Sequence, residues 1–255
     1  MRSILRIARR PVRFARSLVL TKRENERLKQ ELGQTRRRLK RTRRLLQESR
    51  RHLKLAAQQY ERLEVTNARV TQRTRQASRA YLLCRMPKGS VCAEIGVNEG
   101  EFSRQILDEV EPQRLHLIDP WKQGEGLFGK QATQEQEVMD ARYAKVMERV
   151  AEEIASGRVQ VHRNPSSEVH EAFEDSCFDW VYVDGNHLYE YVKQDLELYY
   201  PKVKAGGYLT GDDYGVRGFW GNGVQKAVDE FVSRTPGVTL KVQGTQFIIK
   251  KEAPR

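Results

Sequence analysis

One regularity constrains this chain more than any other: after Pro87-Lys88-Gly89, short apolar runs alternate with helix-like stretches. Ser90–Gly96 (SVCAEIG) ends at glycine, and Phe102–Val110 reads as a helix. Leu115–Ile118 and Val159–His162 are further short runs, with helical composition over Gln134–Ser156 between them. Phe178–Val183 (FDWVYV) reads as a strand, Tyr189–Val203 as a helix, Gly207–Thr210 as a strand and Val224–Arg234 as a helix. Val238–Val242 and Gln246–Lys250 pair as a closing antiparallel hairpin. Strands separated by helices imply an α/β fold with a doubly wound, mostly parallel sheet, because each crossover needs a helix's length of chain. In such sheets the ligand lies beyond the carboxyl ends of the strands, near the point where the strand order reverses.

The segment before this region has a different chemistry. Residues 1–80 hold 25 Lys+Arg against 6 Asp+Glu, whereas residues 81–255 hold 21 against 28. The formal net charge of +12 therefore hides a very basic arm joined to a mildly acidic body. Such asymmetry points to an anionic partner for the arm. No apolar run approaches the ~18 residues that span a bilayer, which excludes an integral helical membrane protein. Cys84, Cys92 and Cys177 form no CxxC pair, which excludes a disulfide scaffold or a cysteine zinc site and suits a reducing, cytoplasmic compartment.

Three segments follow: a basic tail (1–23), a coiled-coil helix (24–80) and the body (81–255). The tail carries no acid and mixes Arg with Ile, Leu, Val and Phe, with Pro11 expected to interrupt a continuous helix. It reads as a membrane-surface segment on anionic lipid at the inner face of a membrane, as a solvated tail, or as a targeting segment. Residues 24–76 contain one glycine (Gly33) and no proline. Leu32, Leu39, Leu46, Leu53 and Tyr60 recur every seven residues. A second, weaker seam runs through Leu28, Thr35, Thr42, Ser49, Ala56, Leu63 and Val70. A helix this polar needs a partner, so the expectation is a coiled coil that makes the protein a homo-oligomer.

Four polar motifs follow strands in the body. Glu94-Ile95-Gly96-Val97-Asn98-Glu99-Gly100 places an acid before a strand end and two glycines before a helix. That arrangement suits a nucleoside-bearing ligand, yet it is neither the GxGxxG fingerprint nor a P-loop. Leu117-Ile118-Asp119-Pro120-Trp121 puts an acid at the next strand end, where ribose hydroxyls are bound in doubly wound folds, and Trp121 could pack on adenine. Asp184-Gly185-Asn186-His187 and Gly211-Asp212-Asp213-Tyr214 bring three carboxylates to one rim. Unpaired, these acids would repel, and a hard cation such as Mg²⁺ would relieve them; by spacing alone they are equally loop acids or helix caps.

Taken together, residues 90–251 resemble a class I S-adenosylmethionine-dependent methyltransferase. EIGVNEG resembles its first motif and LIDPW its ribose-binding strand end. DWVYVDGNHLYEYVKQDLELYYPKVKAGGYLTGDDY resembles the group that includes the macrocin-type sugar O-methyltransferases. The resemblance implies a seven-stranded sheet with a reversed last strand. It places Glu94, Gly96, Asn98 and Gly100 around the methionine and ribose parts of S-adenosylmethionine, Asp119 on the ribose hydroxyls, and Ser166 or Ser167 near adenine. It also makes Asp184, Asp212 and Asp213 the ligands of a Mg²⁺ ion. One departure is plain: the position of the expected second acid is Asn186, which takes no proton at neutral pH. His187 follows it, with an ordinary pKa suited to a general base.

The expected chemistry is O-methylation of a sugar, glycan or small-molecule hydroxyl, with Asp184 and His187 at the reacting centre. Gly215–Gly223 (GVRGFWGNG), with Phe219 and Trp220, reads as a lid whose rings could stack on a sugar. Two other functions compete. One is a coiled-coil scaffold on a non-catalytic body. The other is a nucleic-acid methyltransferase anchored by the arm, which lacks the Asn/Asp-Pro-Pro-aromatic signature of base amino-group methylation.

Overall fold

The computed structural model describes residues 10–122, 135–218 and 220–253; within the first helix it places side chains for residues 21–61, 70 and from 72 on. Most of the tail's side chains, the seam residue Leu63, Gln134 and the lid residue Phe219 lie outside the described residues. The chain divides into two units, Met1–Arg69 and Val70–Arg255.

The first unit is helical from Arg10, as the opening part of α1 (Arg10–Leu83). Pro11 does not interrupt this helix, because it falls in the first turn, where its missing N–H has no intrahelical partner to lose. The absence of further proline and the run of Arg, Leu, Gln and Glu favour helix throughout. Leu32, Leu39, Leu46, Leu53 and Tyr60 are each more than half exposed. Exposed i,i+4 pairs, Arg27 with Glu31 and Arg44 with Glu48, add the small local support such pairs give.

The second unit begins upstream of the Tyr81 boundary read from the sequence. Its helical entry segment is built into the body: Leu82 and Leu83 are buried in the core. Ser78 is buried against the turn at Gly244, where a Cβ on the glycine would lie 2.0 Å from the serine hydroxyl. The strands are β1 (Val91–Ile95), β2 (Arg114–Ile118), β3 (Val159–His162), β4 (Phe178–Val183), β5 (Val203–Gly211), β6 (Val238–Gln243) and β7 (Gln246–Lys251). The helices are α2 (Glu101–Glu109), α3 (Gln136–Arg149), α4 (Ala151–Ala155), α5 (Ser166–Val169), α6 (Tyr189–Tyr199) and α7 (Gly223–Arg234).

Sheet order is β3-β2-β1-β4-β5-β7-β6. The pairs among β1 to β5 are parallel, and β7 runs antiparallel to both β5 and β6. This is the α/β, seven-stranded, Rossmann-like architecture expected, with its reversed last strand. Successive residues of β4 serve opposite faces: Trp180 and Tyr182 pack with Leu82, Phe102 and Ile106, whereas Val181 and Val183 pack with Leu196 and Val228. Each such burial removes apolar surface worth roughly 1.5–3 kcal/mol from water.

Two boundaries differ from the sequence reading by more than two residues. Helix α6 stops at Tyr199, with Tyr200 still helical as its cap, because Pro201 has no N–H with which to continue the ladder. Strand β5 starts early, at Val203, because Val203 pairs with Phe178 and a register shift between Phe178 and Trp180 absorbs the Lys204–Gly207 segment.

Candidate active site

Strand order reverses between β1 and β4, and the carboxyl ends of β1, β2, β4 and β5 carry the polar motifs. The β1–β2 side is organised by backbone. Gly96, at φ 88°, donates its N–H to Ile118 O at 2.9 Å. Its bare face is filled by the next strand end, since a Cβ there would lie 2.2 Å from Asp184 O. Gly100, at φ 74°, starts α2 and faces Val146. Both glycines are therefore required by the protein's own packing, and not only by a ligand's approach.

Asp119 ties this loop to β2. Its Oδ2 accepts the N–H groups of Val97 and Asn98, each at 3.0 Å, and its Oδ1 accepts that of Trp121 at 2.8 Å. Burial raises its pKa, against these three bonds, which lower it. Asn98 is exposed at φ 55°, and its carbonyl accepts the Trp121 indole N–H at 2.8 Å. Trp121 is not open to an adenine ring as expected: it is buried and meets Tyr143 edge to face at 5.1 Å.

Glu94 lies beneath the loop. It is buried, accepts the Ser103 hydroxyl at 2.5 Å, and has its pKa pushed up to about 8 by burial, with the nearby Asp184 and Asp119 charges adding to the rise. Ser166, after β3, donates to the buried Asp195 at 2.5 Å, and Ser167 beside it is half-buried.

The β4–β5 side is organised by charge. Asp184 and His187 follow β4, and Asp212 and Asp213 follow β5. His187 Nε2 lies 3.4 Å from Asp184 Oδ1, and Nδ1 lies 3.1 Å from Asp213 Oδ2. Its ring meets Trp220 edge to face at 4.8 Å. Asp213 occupies the left-handed region at φ 60°, a conformation few non-glycine residues adopt, and its N–H bonds Asp212 Oδ1 at 2.8 Å. The Thr245 hydroxyl donates to that same Asp212 oxygen at 2.5 Å. The Asn186 side chain accepts the Leu188 N–H at 3.0 Å and so shapes the start of α6.

Two residues the motif reading did not single out complete this side. Arg79 Nη2 donates to Asp184 Oδ2 at 2.7 Å and lies 3.1 Å from Asp212 Oδ2. Arg75 Nε is 3.3 Å from Asp212 Oδ2, and its Nη2 donates to Asp213 Oδ1. Both arginines sit on the last turns of α1. They were counted among the arm's basic residues, and only the i,i+4 spacing that leads into buried Leu82 and Leu83 sets them apart. The three carboxylates are therefore paired, which removes the repulsion on which the case for a cation rested. Burial raises the Asp184 pKa, with Asp212 adding to the rise and His187 and Arg79 opposing it. For His187 burial lowers the pKa, but Asp184 and then Asp213 outweigh it, and the net shift is upward.

Residues 93–214 match the family described as "Methyltransferase domain". Among solved structures, a candidate rRNA methylase from Clostridium thermocellum is 14% identical, with a TM-score of 0.53 over 71% of this chain and 97% of that one. A Corynebacterium glutamicum protein is 15% identical, with a TM-score of 0.50 over 72% of this chain and 90% of that one. At these identities the likeness shows the fold. No curated protein sequence matches the chain. The family match covers just under half of the chain, and the body shares the seven-stranded fold of these structures; residues 93–214 are thus similar to S-adenosylmethionine-dependent methyltransferases.

Proposed function

We propose that this domain methylates a hydroxyl oxygen, on a sugar, a glycan or another small molecule. The observation that supports this most is the His187 imidazole held between Asp184 and Asp213 at the strand-order reversal, one strand from the cofactor loop. The rim residues fit the cofactor: Asp119 and the Gly96–Gly100 loop stand ordered at adjacent strand ends, Asn98 is exposed above them, and Ser166 and Ser167 follow β3. Bound S-adenosylmethionine supplies a methyl group already activated on its sulfonium. As a general base His187 must be neutral and give up one of its two carboxylate contacts, so that the freed nitrogen takes the proton from the acceptor hydroxyl; the carboxylates then stabilise the imidazolium, in keeping with the raised His187 pKa. Glu94, its pKa raised by burial, holds α2 through its bond to Ser103 at the base of the loop. Much of the rate then comes from positioning.

Asp184, His187 and Asp213 each offer a donor atom, all within 4.8 Å of one another, and these are the groups a Mg²⁺ ion would use. Asp212 stands outside that set. The donors do not fit a resident cation in this arrangement, because Asp184 and Asp213 each already have one oxygen on a guanidinium and the other toward His187.

Calorimetry with S-adenosylmethionine tests the domain itself; absence of binding would favour a coiled-coil scaffold. With a donor-competent protein, His187→Ala should lower turnover far more than cofactor affinity, and full turnover in that variant removes the base assignment. Screens against glycans, catechols and RNA identify the acceptor class.

The exposed heptad column of the first unit supports self-association as a second element of function. Full-length protein should sediment as an oligomer and a chain shortened to residue 70 as a smaller species; a full-length monomer at micromolar concentration would discard the coil. Among the described residues no helix is long and apolar enough to cross a membrane. The basic tail is suited to an anionic membrane surface, where each basic residue contributes about 1 kcal/mol. Vesicle flotation that depends on neither anionic lipid nor salt would discard that role.

A further inference from the structure

We infer that Arg75 and Arg79 are the resident cations of the acceptor side, and that they keep a divalent metal off Asp184, Asp212 and Asp213. The inference rests on the methyltransferase reading only for the name "acceptor side"; its geometry stands by itself. Each of the three carboxylates has a guanidinium nitrogen on one oxygen: Arg79 on Asp184 and Asp212, Arg75 on Asp212 and Asp213. Asp212 has only its buried Oδ2 left to offer, and that oxygen accepts no hydrogen bond but is ion-paired to two fixed guanidinium groups. Its Oδ2 faces both arginines, and its Oδ1 accepts the Asp213 N–H and the Thr245 hydroxyl.

Buried carboxylates need a countercharge, and Asp212 and Asp213 are each only 2% exposed. Arginine is suited to supply it: it stays charged at any pH the protein meets, and its planar fork bonds two carboxylates at once. The donors are held in place by the fold. The Arg79 guanidinium lies over the Phe102 ring at 4.5 Å, neighbouring Ser78 packs against Gly244, and Leu82 and Leu83 anchor the same helix in the core. A Mg²⁺ ion requires near-octahedral oxygen ligation and would have to displace at least one guanidinium from Asp184 or Asp213 while sitting beside two fixed positive charges.

A functional consequence follows for the acceptor. With guanidinium groups in place of a Lewis acid, it has no metal to chelate, so a single hydroxyl suffices and a vicinal diol or catechol gains nothing from its second oxygen. Arg75 and Arg79 act through the carboxylates and are positioning residues.

The probe is Mn²⁺ alone, titrated into the full-length protein and followed by electron paramagnetic resonance and calorimetry. S-adenosylmethionine binding is measured on the same samples as the check on fold and on the methyltransferase reading. Wild type should show no Mn²⁺ site. Arg75→Gln with Arg79→Gln should create one at least about tenfold tighter than anything in wild type, a change of about 1.4 kcal/mol, and adding Asp213→Asn should abolish it. If the double variant loses its fold, Arg75→Gln alone, at the more exposed of the two arginines, carries the same expectation. A wild-type Mn²⁺ site that Asp213→Asn removes would overturn the inference. So would a folded arginine variant as blind to Mn²⁺ as wild type. Failure to bind S-adenosylmethionine would instead strike the methyltransferase reading and leave the metal result to stand.

Discussion

The two sides of the rim are assembled by different forces. On the β1–β2 side, Asp119 accepts three backbone N–H groups from within a few residues of the strand ends, and Gly96 docks against backbone. Backbone dipoles do most of the work there, and every donor to Asp119 lies within a few residues of a strand end. On the β4–β5 side full charges face each other, and Arg79 meets Asp184 across 105 positions of chain. The first side resists salt and depends on local conformation. The second depends on an entry helix and fails when one charge is removed.

The sharpest way to break this comparison is Arg79→Met. The Arg79 side chain is 16% exposed, and its loss leaves Asp184 and Asp212 without their shared partner. Removing one member of a buried pair costs about 3–5 kcal/mol. Urea unfolding should show that loss, with S-adenosylmethionine binding reduced only as far as the fold is. A loss below about 1 kcal/mol would mean that the acids do not rely on Arg79.

Acid should attack the other side first. His116 on β2 and His162 on β3 are bonded ring to ring at 3.0 Å, with one proton to share. Burial, the neighbouring His162 and Arg114 lower the His116 pKa to about 4, and burial lowers that of His162. The unfolded chain therefore binds more protons than the folded one between the ordinary histidine pKa and that lowered value. Stability from this pair is complete above ~6.5 and is lost as pH falls toward ~4, by roughly 3 kcal/mol for His116. Thermal unfolding across that window should show the slope, and His116→Phe should flatten it; an unchanged slope would place the acid sensitivity elsewhere.

Asp119→Ala acts on the loop and on cofactor binding together. It removes the loop's tie to β2 together with the carboxylate proposed for the ribose hydroxyls. S-adenosylmethionine affinity should fall by about 1.5–3 kcal/mol, the range for hydrogen bonds to a charged group. Unchanged affinity by calorimetry would take the ribose role from Asp119.

What the sequence disclosed follows the same division. The strand ends, both glycines and Asp119 are short-range features, because an apolar run of strand length ending at Gly or Asp defines them without knowledge of tertiary contacts. Asp184, His187, Asp212 and Asp213 were visible as motifs after strands, and the sheet does bring them together. Their partners were not visible. Arg75 and Arg79 lie in a segment dense with arginine, and only the fold turns two of them toward acids more than 100 positions away. Trp121 misled for a related reason: an aromatic residue after a strand-end Asp-Pro suits adenine stacking in sequence, but the packing with Tyr143 takes the ring into the core. Composition marks the arm as basic up to residue 80, whereas packing into the body begins earlier, within the same helix.

The smallest expected effect grades the charged side within itself. Arg75 pairs with Asp212 and Asp213 from a side chain that is 40% exposed, against 16% for Arg79. Solvent screens its interactions, so Arg75→Lys should cost only about 1 kcal/mol, since a lysine keeps the charge but bonds one carboxylate where the guanidinium fork bonds two. Salt provides the discriminating measurement. At 1 M ionic strength the screening length falls to about 3 Å, so the penalty of Arg75→Lys should shrink while that of Arg79→Met persists. Equal salt sensitivity in the two variants would mean that both arginines act from solvent, and that the β4–β5 side is a surface ion-pair network with no buried anchor.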